Sequence, residues 1–576
     1  MYRPVLDAVS GSLTLTALVA MLPLLTLFVL LGALRMPAWR ASIIALVVSI
    51  VVAVLFYSMP VGQALLASTE GAAFGFFPIL WIVINAIWVY NMTVVTGHFD
   101  VLRRSFAKVS DDQRIQAVII AFCFGALLEA LAGFGTPVAI TSVMLIALGF
   151  RPIKAAVVAL VANTAPVAFG ALAVPITTLA TVTNIPEHTL ASMVGRQTPL
   201  LGVFVPMALV FIIDKRRGVR QTLPATLTCG IAFAIAQYAT SNFLSTQLTD
   251  IVASLAGAAS VVLLLRVWQP AERYTEAGTD EGADLGSTNP ANAVGGHAMR
   301  PEDGIGSDHP VGAGAGSAAD LAARDAGHSD SRVEVAKAYA PYLIIIALFA
   351  ITQLPGIREL FAAPTRSLQW PGLQLETAAG EPSTIPTFNL NWLAAAGTLM
   401  VLAGLITAPV IGISPAKAFR AYLDTYRQLA MAIVTVMAVL ALAYVMNSSG
   451  ETATLGTWMA GAGGAFAILS PILGWLGVAV TGSDTSSNSL FGALQVSAAN
   501  QTGLSPTLMA AANSSGGVLG KMISPQNLAI AAAAVGMSGR EGEIFRKVLG
   551  WSLGFLVFMC LLVYLQSTPV LSWMVP

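Results

Sequence analysis

Residues 162–176 read ANTAPVAFGALAVPI and residues 512–526 read ANSSGGVLGKMISPQ. Aligned at one offset, Asn163 meets Asn513, Gly170 meets Gly520 and Pro175 meets Pro525, with Thr164 opposite Ser514. Both stretches lie in apolar runs, yet both carry the Gly, Pro and Asn that interrupt a helix. Working outward, each has a similar approach, GFRPIKAAV at 149–157 and GLSPTLMAA at 503–511. Further upstream, each half holds an apolar stretch broken by small polar residues, AGFGTP at 132–137 and TGSDTSSNS at 481–489. The order of interrupted stretch, short loop and broken helix therefore occurs twice.

The surroundings place these faults at depth in a membrane. The 576 residues are 56% hydrophobic and 10% charged, against about 25% charge in soluble domains, and the mean hydropathy is +0.77. About 20 apolar residues cross the hydrocarbon core, and runs such as 12–34 and 43–56 are too unbroken for barrel strands. The expected fold is an all-α polytopic membrane protein with about 12 full transmembrane helices, two re-entrant hairpins and two broken helices. The N-terminal half, 1–265, holds the hairpin 115–149 and the broken helix 155–183. The C-terminal half, 338–576, holds the hairpin 460–498 and the broken helix 507–535. Between them, 266–337 is rich in Gly, Ala, Asp and Ser and reads as a disordered cytoplasmic linker. Residues 354–390 read as an irregular outer loop.

Charge supports this layout. With the 35–40 loop in the cytoplasm, alternation leaves only Arg3, Arg196, Arg358 and Arg366 outside and Lys521 at depth. Every other Lys and Arg falls inside, as the positive-inside rule requires. This holds only if both interrupted stretches return to the side they entered. The first then enters from inside and the second from outside, which makes the repeat inverted.

Composition also excludes functions. Cys123, Cys229 and Cys560 lie in separate apolar segments without metal or redox spacing, and no His falls in a span. The N-terminal apolar run lacks a basic leader and cleavage site, so it reads as the first span. No phosphate loop, zinc spacing or nucleophile elbow stands in a suitable context. No ATP-driven pump, enzyme, cofactor, metal or nucleic-acid role is expected.

Three charges fall in apolar surroundings: Glu129, Asp484 and Lys521. A charge at bilayer depth costs about 2.5–3.5 kcal/mol on insertion scales, so it persists mostly where it meets a cavity or a partner. Broken helices expose N–H and C=O groups that something must satisfy, and half-helix N-termini attract anions. Paired breaks in two halves point to a transporter site near the midplane. The candidate substrate-binding residues are Gly133, Gly135, Thr136, Asn163, Thr164, Ser483, Thr485, Ser486, Asn513, Ser514, Ser515 and Lys521. Lys521 suits a small carboxylate as counter-ion, or an internal bridge to Asp484 or Glu129. In the apolar FGALLEALAGFG setting a lone charge is costly, so Glu129 is the expected proton carrier, with Asp484 second. Trp81, Trp88 and Tyr90 read as an interfacial belt in preference to the lining of a path.

In these and neighbouring stretches the chain resembles the bacterial L-lactate permease family. The stretches that carry the resemblance are VTGHFDVLRRS, FCFGALLEALAGFGTPVAI, NTAPVAFGALAVPI, MVGRQTP, FAIAQYATSNF, GWLGVAVTGSDTSSNSLFGALQ and GKMISPQNLAIAAAAVG. It covers nearly the whole chain except 268–336 and parts of 354–390. The resemblance implies uptake of lactate, glycolate and related 2-hydroxymonocarboxylates with protons across the bacterial inner membrane. At the level of architecture it implies an elevator-like carrier with two hairpins. A sodium-coupled or exchanging carrier of another small anion, and a carboxylate-binding receptor or channel, stay open. Expected partners are a small carboxylate, a co-transported proton and the bilayer. A homo-oligomer is left open.

Overall fold

A backbone amide in lipid has no water to bond, so a spanning segment must satisfy itself, and an α-helix does. The computed structural model follows that rule. It describes all residues except 35, 108, 134, 277–329, 353, 355, 377–379, 381 and 384. Among the described residues, nine helices are long and apolar enough to cross a membrane, or ten if one bent pair counts as a span. The only regular strands among them are Arg366–Gln369 and Thr387–Leu390, paired antiparallel. The chain is an integral multi-pass membrane protein.

The segments that build the site come in two sets. In the first half, Gly125–Ala132 and Thr136–Ala147 pack on each other across a turn in which Gly135 holds φ +82°. Pro152–Ala162 and 167–183 follow, bent by 64°. In the second half, Phe466–Thr481 and Asp484–Thr502 form the corresponding pair, turning at Gly482 with φ +75°. Pro506–Gly520 and Pro525–Ala534 follow, separated by the short turn Lys521–Ile523. The packing crosses between halves. Gly170–Thr183 lies against Asp484–Thr502, and Pro525–Ala534 lies against Thr136–Ala147.

Glycine sets the closest approach in this bundle. A Cβ at Gly516 would overlap the Pro471 carbonyl, so Pro506–Gly520 meets Phe466–Thr481 backbone to backbone. Gly516 and Gly517 thus lie inside a regular helix and serve packing, and the break comes later, at Lys521–Ser524. The long helix Pro415–Ser449 carries the other wall, against Val61–Phe74 and Ala38–Leu55.

The spans expected at 198–213 and 222–240 fall on either side of a non-helical break at Asp214–Lys215 within Thr198–Phe243, and the two parts fold back so that Gly230 packs on Val203. Other expectations need correction. The 354–390 loop contains the two-stranded hairpin, because Leu368 pairs with Phe388 and Gln369 with Thr387 rather than staying irregular. Trp88 and Tyr90 are buried, and the Trp88 indole donates to the Ala418 carbonyl at 2.9 Å. They pack inside the protein, Trp88 edge-on against Tyr422 and Tyr90 edge-on against Phe99. Most of the expected 266–337 linker lies outside the described residues. Its described end at 272–276 is tethered: Glu276 pairs with Arg151 at 2.7 Å and Lys154 at 2.9 Å, and Arg273 pairs with Asp111 at 2.9 Å.

Candidate functional site

Each break delivers one charged group to a common point. Gly125–Ala132 is an uninterrupted apolar helix, so Glu129 is held rigidly one turn before the Gly133–Gly135 turn. Ser524 caps Pro525–Ala534 by accepting from the Asn527 backbone N–H at 3.3 Å. Ser524 also donates to the Lys521 carbonyl at 3.0 Å, which fixes the turn that carries Lys521. Lys521 Nζ reaches Glu129 Oε1 at 2.6 Å. Glu129 is 3% exposed and Lys521 7%, so the pair is shielded from bulk solvent. Asn163 Nδ2, at the bend of the first broken helix, donates to Glu129 Oε2 at 3.0 Å.

Close backbone approach keeps that carboxylate in place. A Cβ at Gly170 would stand 2.7 Å from Glu129 Oε1, so only glycine leaves room there. The next three residues, Ala171, Leu172 and Ala173, hold φ of +46° to +60°. Left-handed backbone in non-glycine residues is strained by roughly 1–3 kcal/mol each and persists where the surroundings hold it.

Asp484 comes from the opposite hairpin. It sits in the first turn of Asp484–Thr502, where unpaired backbone N–H groups favour a negative charge. Ser514 Oγ donates to its Oδ2 at 2.6 Å, and Asn488 Nδ2 lies 3.4 Å from the same oxygen. Asn488 also donates to the Pro175 carbonyl at 3.1 Å, tying the second hairpin to the first broken helix. Among the described residues, Asp484 Oδ1, Asn163 Oδ1, Thr164 Oγ1 and Ser515 Oγ are buried without a hydrogen-bond partner.

A cavity of about 60 Å³ joins these groups. Glu129, Gly133, Gly135, Ser483, Asp484, Thr485 and Lys521, all singled out in the sequence, line it. Asn163 and Ser514 stand behind the wall and hold the carboxyls. Asn513 bonds to Asn488 and Gln495, and Thr136, Thr164, Ser486 and Ser515 also stand off the lining. Sequence reading missed Gly170, Val174, Gln526 and Asn527. The Gly170 and Gly520 match signalled the first. The two amides directly follow Pro525 and were legible as the N-terminus of the second half-helix.

The charge reading was also incomplete. Glu70, Asp250 and Glu451 are each 0% exposed. Glu451 accepts from Ser49 at 3.2 Å and Ser449 at 3.1 Å, and Asp250 from Gln237 at 2.9 Å. Glu70 lies in Val61–Phe74, where no span was expected, and Asp250 and Glu451 open the helices Thr249–Leu264 and Glu451–Met459, each buried by packing that the sequence does not show. They stand outside the cavity.

A family model described as L-lactate permease matches residues 16–570. An L-lactate permease of Bacillus subtilis (strain 168) is 38% identical, covering 99% of this chain and 98% of that protein. The glycolate permease GlcA of Escherichia coli (strain K12) is 39% identical, covering 98% and 97%. The L-lactate permease of the same bacterium is 38% identical and covers 98% of each chain.

Proposed function

The chain belongs to the L-lactate permease family, and on that premise we propose that it is a proton-coupled carrier of L-lactate, glycolate and similar short 2-hydroxymonocarboxylates across the bacterial plasma membrane. The observation that carries this reading is the buried Lys521–Glu129 pair at 2.6 Å, on the wall of a cavity shared by both hairpins.

The pair sets up an exchange. An incoming carboxylate competes with Glu129 for Lys521. Removing one partner of a buried pair costs about 3–5 kcal/mol because a charge is left uncompensated. Glu129 avoids that cost by taking a proton when the substrate takes its place. On release, Lys521 recovers Glu129 and the proton leaves. One proton thus accompanies one monocarboxylate, and the occupied site carries the same charge as the empty one. Asp484, anchored by Ser514, stands beside this exchange as the second carboxyl of the site.

Cavity size supports a small substrate. A water position needs about 10–15 Å³ of such space, so about 60 Å³ holds roughly four to six positions. That is room for a small molecule such as a two- or three-carbon hydroxy acid. Hydroxyls and amides of Ser483, Thr485, Gln526 and Asn527 can take the 2-hydroxyl, and Val167, Ala171 and Val174 the methyl. The crossed packing of each half-helix on the other half's hairpin supports an inverted repeat with both hairpins re-entrant.

The test is uptake in proteoliposomes. An inwardly directed proton gradient should drive lactate above equilibrium. Accumulation that follows a sodium gradient and ignores pH defeats proton coupling, and equilibration without accumulation points to a channel.

A further inference from the structure

A second cavity, of about 590 Å³, lies between Gly170–Thr183, the end of Pro415–Ser449 and the strand Thr387–Leu390. We propose that it is an outward-opening antechamber in which the hydroxy-acid anion waits before it reaches Lys521. This rests on the transport reading above and on the orientation given by the charge bias, which puts Arg366 and its strand outside.

Three observations carry the proposal. The first is continuity. Val174 lines the small cavity, and Thr177 and Thr181 line the large one. Residues three and seven apart share one face of a helix, so these side chains form one stripe. The step from Val174 to Thr177 is about 4.5 Å along the axis at 1.5 Å per residue. The two spaces are therefore separated by about one helical turn.

The second is the chemistry of the wall. Thr181, Asn184, Asn389, Asn391 and Asn447 offer hydroxyls and amides, which replace part of an anion's hydration. No Lys or Arg lines the cavity among the described residues. Glu187, the one acidic group among the described lining residues, accepts from the Gln247 amide at 2.6 Å. Such a wall solvates a carboxylate without trapping it, since the counter-charge waits deeper, at Lys521. The third is size. The space exceeds the inner cavity about tenfold, as a passage that admits a hydrated anion requires.

Cysteine accessibility tests this directly. Cys123, Cys229 and Cys560 are all buried, so the parent protein should not react with a membrane-impermeant thiol reagent. Thr181→Cys and Asn447→Cys should react from outside in intact cells. Saturating L-lactate should slow the reaction, and the bound reagent should cause loss of uptake. Asn184→Cys, at the exposed rim, provides the same readout if a deeper variant fails to reach the membrane. Reaction only in inside-out vesicles overturns the proposal, and so does external reaction that neither responds to lactate nor affects uptake. Uptake by the unreacted parent reports on the transport reading alone. Its absence sinks that reading, while the labelling pattern decides the antechamber.

Discussion

At the residue scale, the site depends on one ion pair and one missing methyl. Glu129→Gln removes the proton carrier but keeps the shape, so proton-driven accumulation should vanish while lactate exchange persists. Normal accumulation by that variant defeats the assignment. Lys521→Ala should raise the half-saturation concentration for lactate in the same vesicles. Stability gives an independent reading. Each single change leaves a buried charge unpaired, at about 3–5 kcal/mol, whereas a buried pair replaced as a whole is often near neutral. The double variant Glu129→Gln with Lys521→Gln should therefore unfold at a higher temperature in detergent than Lys521→Gln alone. Gly170→Ala forces a methyl toward Glu129 Oε1 and should cost about 1–3 kcal/mol, as overpacking does. Of these residues, Glu129, Asp484 and Lys521 were legible because charge stands out in apolar sequence. Glu70, Asp250 and Glu451 were not, since a carboxyl outside an expected span or at its end looks the same as one in solvent.

At the element scale, the described strap at 272–276 sets a prediction on the cytoplasmic face. Burial pushes the Glu276 carboxyl up, but hydrogen bonds and charge from Lys154 and Arg151 outweigh it and hold the group below the ordinary carboxylate value. A depressed value means that docking is complete above the free carboxylate range and is lost as pH falls through the lowered one. The strap should stay docked at neutral pH and release only in acid. Glu276→Gln should release it at neutral pH, which limited proteolysis near 272–276 reads as faster cleavage. Cleavage at the parental rate breaks the link between Glu276 and docking. The sequence was least informative here, because the partners Asp111, Arg151 and Lys154 lie far away along the chain, Lys154 in the first turn of Pro152–Ala162. Hairpins and helix breaks were easier to read, since Gly, Pro and Ser clusters interrupt apolar runs locally. The exact break at Lys521–Ser524 was not, because Gly516 and Gly517 look like breakers until the neighbouring helix is seen against them.

At the scale of the whole molecule, exchange of a carboxylate for a protonated Glu129 makes transport electroneutral. A potassium diffusion potential at equal pH should leave lactate uptake unchanged, while a pH step of the same driving force should accelerate it. Uptake that follows the potential overturns the one-to-one exchange. By itself, the sequence determined the solvent of the fold, the doubling of its central motif and the identity of its three informative charges, because hydropathy, helix breakers and charge act locally along the chain. Only the tertiary structure decided which carboxyl meets Lys521, across a separation of 392 residues. It also decided which glycines break a helix and which let two backbones touch. Such pairings depend on how each half-helix leans on the other half's hairpin, and that geometry is set by packing between segments far apart in the chain.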